Sequence, residues 1–313
     1  MNKILNIVNS NIVLNQLKNS NIDGDFLAWE DFLHEGPVPE NLSLEKLSKI
    51  RAKFIAQKGL EDIQNIYKKF KYRNNILKTY KKYNQIDLWF ENDLYDQLQL
   101  IQILDWFSKS AINNNNIYII SPNNYLMKST PKDLKKFAIY NRELVNHNHF
   151  ITAKKAWMAF SSESPYSWCK LLNDDTDSLP FLKDTVQRII EEYPNNINGL
   201  SRTAHQALLS ISKNIHHPNN IFIDYQKSEY RPFMGDIIFF YILKELVENN
   251  LLNSTQEGKN LELTNLGREI LEGKKNLFNH TKVDRWIGGV HITNKNSWCW
   301  DIKSKNIIKY KIN

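Results

Sequence analysis

Apolar positions follow two rhythms along this chain, and the stretch LWFENDLYDQLQLIQIL, residues 88–104, shows one giving way to the other. Leu88, Trp89 and Phe90 end a buried strand, the run stops at Glu91, and Leu94, Leu98, Ile101 and Leu104 recur at helical spacing. The chain opens with the same grammar: a strand over residues 4–8, a turn at 9–11 and a short helix. Residues 25–29 form a further strand that enters a loop over 30–39, stiffened by Gly36 and two prolines. A helical stretch with a basic face then runs to about Tyr83, and residues 116–120 give another strand, closed by Ser121 and Pro122. Strands alternating with helices predict parallel pairing and right-handed crossovers, so residues 1–125 read as a small parallel Rossmann-like sheet.

Beyond that point the period becomes helical. Residues 126–195 read as a helical connector with Ala156, Trp157, Phe160, Leu171 and Leu172 in its core; Trp157 and Trp168 are either core or ligand-facing. Residues 196–275 carry helices from Ser201 or Thr203, over about 221–227 and from Gly235, then a hairpin and a last helix, which is a winged-helix-like order. Residues 276–313 form a C-terminal β-hairpin extension laid against another domain, in which Gly288 and Gly289 permit unusual dihedrals or close backbone approach. The predicted class is α/β plus mainly α.

Length and composition narrow this picture. At 313 residues two or three units are expected, and 42% hydrophobic with 12% aromatic residues describes a globular chain. The opening apolar residues are broken by Asn, unlike a signal peptide, and the run at 237–243 is too short to span a bilayer. Cys169 and Cys299 lie far apart without metal-ligand spacing, which argues against zinc or a disulfide framework and for a cytoplasmic setting. Of the net charge of +7, residues 51–82 hold ten Lys or Arg against Glu61 and Asp62, interleaved with Tyr67, Phe70, Tyr72, Tyr80 and Tyr83. That segment reads either as a nucleic-acid contact or as a solvated helix face. From Arg202 to Glu272 seven basic residues meet nine acidic ones, which counts against DNA reading by the winged-helix-like part.

Candidate chemistry gathers where strands end. Glu91 with Asp93 could hold a divalent ion such as magnesium, with Asn92 and Asp96 as ligand contacts; Asp93 and Asp96 are equally well explained as a helix cap. Asp31, His34 and Glu35 stand on the stiff loop beside Gly36, with His34 as acid or base and Asp31 and Glu91 as catalytic partners. Asn9 and Asn11 offer amides near a helix N-terminus, Asp284, Arg285 and His291 could complete a site at an interface, and Asp236 is a further candidate ligand contact. A buried Asp–Arg pair at Asp284 and Arg285 is the structural alternative. All of this requires His34 and Glu91 to face one another across a shared pocket.

Five strings, WEDFLHEGPVP, LWFENDLYDQLQL, GLSRT, PFMGD and DRWIGGVHI, together resemble a bacterial family, the domain of unknown function 1835, nearly end to end. The resemblance implies an N-terminal α/β domain and a helical, winged-helix-like C-terminal half, and it brings no established activity. The first turn of similar proteins runs His, two apolars, Asn, Gly, Asp, Ser, where this chain has Asn6, Asn9, Ser10, Asn11 and Ile12, and a His stands where Asn92 is here. Two imidazoles and one carboxylate of that pattern are thus absent, so binding without turnover, or chemistry by His34 alone, stays open. The leading expectation is a protein binding a nucleotide or other phosphorylated ligand at the carboxyl edge of the sheet, as a hydrolase or transferase. The alternative is a ligand-sensing regulator whose winged helix contacts nucleic acid or a protein partner.

Overall fold

Short apolar strands whose side chains are buried on both sides assemble here into a mostly parallel sheet with helices on its faces, as a parallel sheet requires. The structure, a computed structural model, describes residues 3–110, 116–123, 125–255 and 259–311. In chain order it begins β1 (Ile4–Val8), α1 (Asn11–Asn19), β2 (Asp25–Ala28), β3 (Gly36–Pro37), α2 (Leu44–Gln57), α3 (Ile63–Lys78), β4 (Gln85–Trp89), α4 (Leu94–Ser108) and β5 (Asn116–Ile120). It continues with α5 (Pro131–Tyr140), β6 (Arg142–Leu144), α6 (His147–Ser161), α7 (Tyr166–Lys170) and α8 (Leu182–Ile190). Then come α9 (Arg202–Ser212), α10 (Pro218–Ser228), α11 (Asp236–Glu248), the hairpin β7 (Leu252–Thr255) and β8 (Asn260–Leu263), and α12 (Asn265–Leu271). Two antiparallel pairs end the chain: β9 (Asp284–Gly288) with β10 (Val290–Thr293), and β11 (Trp298–Asp301) with β12 (Asn306–Lys309).

The main sheet has the order β2-β1-β4-β5-β6, parallel except for β6, which runs antiparallel to β5. Counted by their place in the chain, its strands stand 2-1-3-4-5, an order that switches direction between β1 and β4. Leu5, Ile7, Ile86 and Leu88 feed the large core, while Val8, Trp89 and Ile120 face a smaller one closed by Val13 and Leu17 of α1 and Leu134 of α5. The large core runs on without a break through α6, α8, α9 and α11 to Ile307 of β12.

Two short strands alter the expected layout. The sheet does not end near residue 125: β6 adds a fifth strand inside the region expected to be a purely helical connector. The two residues of β3 pair in parallel with Ile287 and Gly288 of β9, so the C-terminal extension is built onto the loop that carries His34. The turn after β9 also packs against the end of α6, and there the close approach needs glycine. A Cβ at Gly289 would lie 1.9 Å from the Ser161 carbonyl oxygen, and one at Gly288, where φ is +57°, 2.1 Å from that of Phe160. The helices and hairpin expected over 196–275 are present, with the second helix starting earlier, at Pro218. Among the described residues no helix is long and apolar enough to cross a membrane.

Candidate functional site

After β2 the backbone turns sharply: Glu30 sits in the left-handed region at φ +50°, and its side-chain Oε1 accepts a hydrogen bond from the Asn11 N–H at the start of α1 (3.0 Å). Two buried arginines then hold the loop. Arg51 donates to the Asp31 carboxylate (3.0 Å) and to the carbonyls of Phe32 (3.0 Å) and Glu35 (2.6 Å), and Arg73 donates to the Trp29 carbonyl (2.9 Å). Asp31, expected as a catalytic partner, is therefore the counter-ion that fixes the loop.

The loop presents His34 with 2% of its surface exposed, set edge-on to Phe233 (ring centroids 5.2 Å) and near Tyr95 and Phe32. Neither ring nitrogen has a hydrogen-bond partner. Burial, opposed by Glu192 and reinforced by Arg51, Arg188 and Arg285, pushes its pKa down to about 3, so the imidazole is neutral at ordinary pH. His34 lines a cavity of about 560 Å³ together with Trp29, Glu30, Phe70, Tyr95, Phe233 and the first turn of α11 at Asp236 and Ile237. The cavity lies at the carboxyl end of β2 and has the size of a small-molecule site.

Glu91 lies elsewhere. It is 4% exposed; its Oε1 accepts the Leu126 N–H (2.8 Å) and its backbone N–H donates to Asp96 (2.5 Å). Asp96 in turn accepts from the Asn9 amide (2.8 Å), which fills the crevice between the ends of β1 and β4. Asp93 caps α4 by accepting the Asp96 N–H (3.1 Å), so the helix-cap explanation applies to it. Burial, and for Glu91 the charge of Asp93, raise Glu91 to about 8 and Asp93 to about 7; burial also raises Asp96, with Asp93 and Glu91 adding to it. The cavity around His34 does not include Glu91, and the charged groups acting on each are different. The cavity that holds His34 thus does not reach Glu91, whose carboxyl is engaged by the protein's own polar groups. Among the described residues no group of three or more His, Cys, Asp or Glu is placed to hold a metal ion.

The remaining candidates disperse. Glu35 joins a buried ionic network: Arg285 binds both Glu35 and Glu192 (3.0 Å to the latter), and Arg188 binds Glu192 (2.7 Å), Glu229 (2.6 Å) and Thr203 (3.0 Å). Arg285 thus pairs with Glu35 and Glu192 rather than with neighbouring Asp284, which bonds His291 on the surface (2.7 Å) while that ring stacks on Trp286. Gly36, at φ +85°, leaves no room for a Cβ against Phe54. Asn11 is exposed, and Asn92 accepts a bond from Arg231 through its carbonyl (3.2 Å). In the basic segment 51–82, Arg51 and Arg73 are interior, Phe70, Tyr80 and Tyr83 are buried, and Lys58, Lys69 and Lys78 are paired with Glu245, Glu61 and Glu45. Of the aromatic rings named for it, Tyr72 stays exposed and Tyr67 half-buried.

Sequence reasoning missed Glu30, Arg73, Tyr95 and Phe233 as cavity residues. The Arg188–Glu192 pair was detectable from its i,i+4 spacing. Fold and site together define an α/β protein with a partly open, aromatic-lined cavity at the carboxyl edge of a mostly parallel sheet. No family model matches the chain, and no curated protein matches it.

Proposed function

We propose that this protein binds a small planar ligand of nucleoside class in the His34 cavity. The observation that carries the reading is the imidazole itself: a buried ring with both nitrogens unsatisfied, in a cavity lined by Trp29, Phe70, Tyr95 and Phe233. An unmade hydrogen bond at a buried polar group costs about 1–3 kcal/mol, a cost that a bound ligand would relieve. Neutral His34 offers one donor and one acceptor, which a turn of the ring would present to the edge of a base, and the half-buried Phe32 and Tyr95 rings beside it suit its faces. With a pKa of about 3, His34 is poorly matched to proton transfer at neutral pH, so binding is better supported than a hydrolase or transferase reaction.

The regulator reading has a specific support as well. Phe233 and the first turn of α11 form part of the cavity wall, and α11 lies in the run α9 to α12 whose order we read from sequence as winged-helix-like. Occupancy would bear directly on the helical half, and the resemblance to the domain of unknown function 1835 fits the same division of labour. Titrating adenosine, guanosine, cytidine and uridine while following tryptophan fluorescence tests the proposal. At least one should saturate, and His34→Phe should weaken it by roughly tenfold or more. No response to any of the four would overturn it.

A further inference from the structure

We infer that the cavity accepts an uncharged or cationic ligand and turns away a phosphorylated one, because the helix N-termini at its mouth already carry carboxylates of the protein itself. The inference rests on the binding proposed above and settles which end of a nucleotide-like molecule the site would reject.

Helix N-termini at the carboxyl edge of such a sheet are where phosphate groups usually sit, since unpaired N–H groups and the helix dipole both favour an anion. Here that place is filled. At α1 the Glu30 carboxylate takes the Asn11 N–H, and the residue adopts a left-handed conformation, unusual for Glu, to reach it. At α11 the cap is Gly235, without a side chain, and Asp236 supplies the acid, its Oδ1 accepting the Ile237 N–H (2.8 Å). Both carboxylates line the same cavity as the unpartnered His34.

The cations do not compensate. Among the described residues lining the cavity they are Lys69 and Arg73. Lys69 is paired with Glu61 (2.8 Å), and Arg73 donates to the Trp29 carbonyl, Asn74 and Ser48 while lying over the Trp29 and Phe70 rings. A phosphate entering here would meet three carboxylates, Glu30, Asp236 and the Lys69-paired Glu61, and cations that are already engaged.

The test uses the whole chain and two probes. Inorganic phosphate is titrated while the backbone amide resonances of Asn11 and Ile12 are followed, in the wild type and in Glu30→Gly, which the left-handed backbone accommodates. The wild type should show no saturable shift, and Glu30→Gly should show one. In parallel, each nucleoside is compared with its 5′-monophosphate; the nucleoside should bind about tenfold tighter or better, and Glu30→Gly should narrow the gap by improving the monophosphate. Saturable phosphate binding at Asn11 in the wild type, or a monophosphate that binds as well as its nucleoside, would overturn the inference while leaving the proposed binding intact. If no nucleoside binds, the binding proposal fails, and the phosphate titration alone decides whether Glu30 excludes anions.

Discussion

Two of the groups of buried carboxylates among the described residues are driven in opposite directions by their surroundings. Glu192, at the junction of α8, the His34 loop and β9, is penalised by burial, yet Arg188, Arg285 and the Thr203 hydroxyl outweigh that and hold it down at about 2. Glu91 and Asp93, at the end of β4, are buried without an ion pair among the described residues and are pushed up to about 8 and about 7. The first group is a charged clamp between the two halves of the chain. The second is a set of hydrogen-bonded carboxyls that holds protons near neutral pH. A carboxylate at a strand end is thus no sign of function until its counter-ions are known.

The largest effect expected comes from breaking the clamp. Glu192→Ala removes the acceptor shared by Arg188, Arg285 and Thr203, and taking one partner from a buried ionic network costs roughly 3–5 kcal/mol. Urea denaturation at pH 7 measures it, and a loss below about 1 kcal/mol would show that the network is not the clamp. Because Glu192 is depressed from 4.5, its contribution is present above pH 4.5 and is lost as pH falls toward about 2.

Next in size is the acidic turn, with the sign reversed. Glu91 and Asp93 are raised from 4.5 and 3.8, so their contribution is complete below those values and is lost as pH rises to about 8 and 7. Each proton released on unfolding costs up to about 1.4 kcal/mol per pH unit, shared within the coupled group. Glu91→Gln keeps an oxygen for the Leu126 N–H and removes the charge. The variant should match the wild type near pH 4.5 and exceed its stability by roughly 1–2 kcal/mol at pH 8. Parallel stability curves for the two proteins would break the comparison.

The sequence carried the parallel core of the sheet because β1, β4 and β5 are short, mostly apolar segments (ILNIV, QIDLW, NIYII) followed within a residue or two by polar residues, and their shortness and flanks mark them as strands. It did not carry β3 or β6, of two and three residues, whose pairing is decided by partners distant in sequence. The same limit applies to the site. That His34 sits on a stiff loop was legible from Gly36 and its prolines, but which side of the sheet the loop folds over depends on Arg51 and Arg73, whose charges read from sequence as surface. Glu30 gave no signal, since a left-handed conformation at a non-glycine residue follows from the Asn11 contact and not from local propensity.

His34 completes the comparison as a buried ionisable group with neither a counter-ion beside it nor a hydrogen bond, and it should show the smallest stability effect at pH 7. Replacing it with Phe removes two unsatisfied nitrogens and keeps a planar ring among Phe32, Tyr95 and Phe233, so stability should change by no more than about 1 kcal/mol in either direction. The pH dependence is more telling. A histidine lowered from 6.5 to about 3 contributes stability that is present above pH 6.5 and is lost as pH falls, because the unfolded chain takes up a proton the folded one refuses. Below pH 6.5 the variant should therefore gain on the wild type by up to about 1.4 kcal/mol per unit. A difference that stays constant with pH would mean that the folded imidazole takes up its proton at the same pH as the unfolded one, and that the cavity is far wetter than its aromatic walls imply.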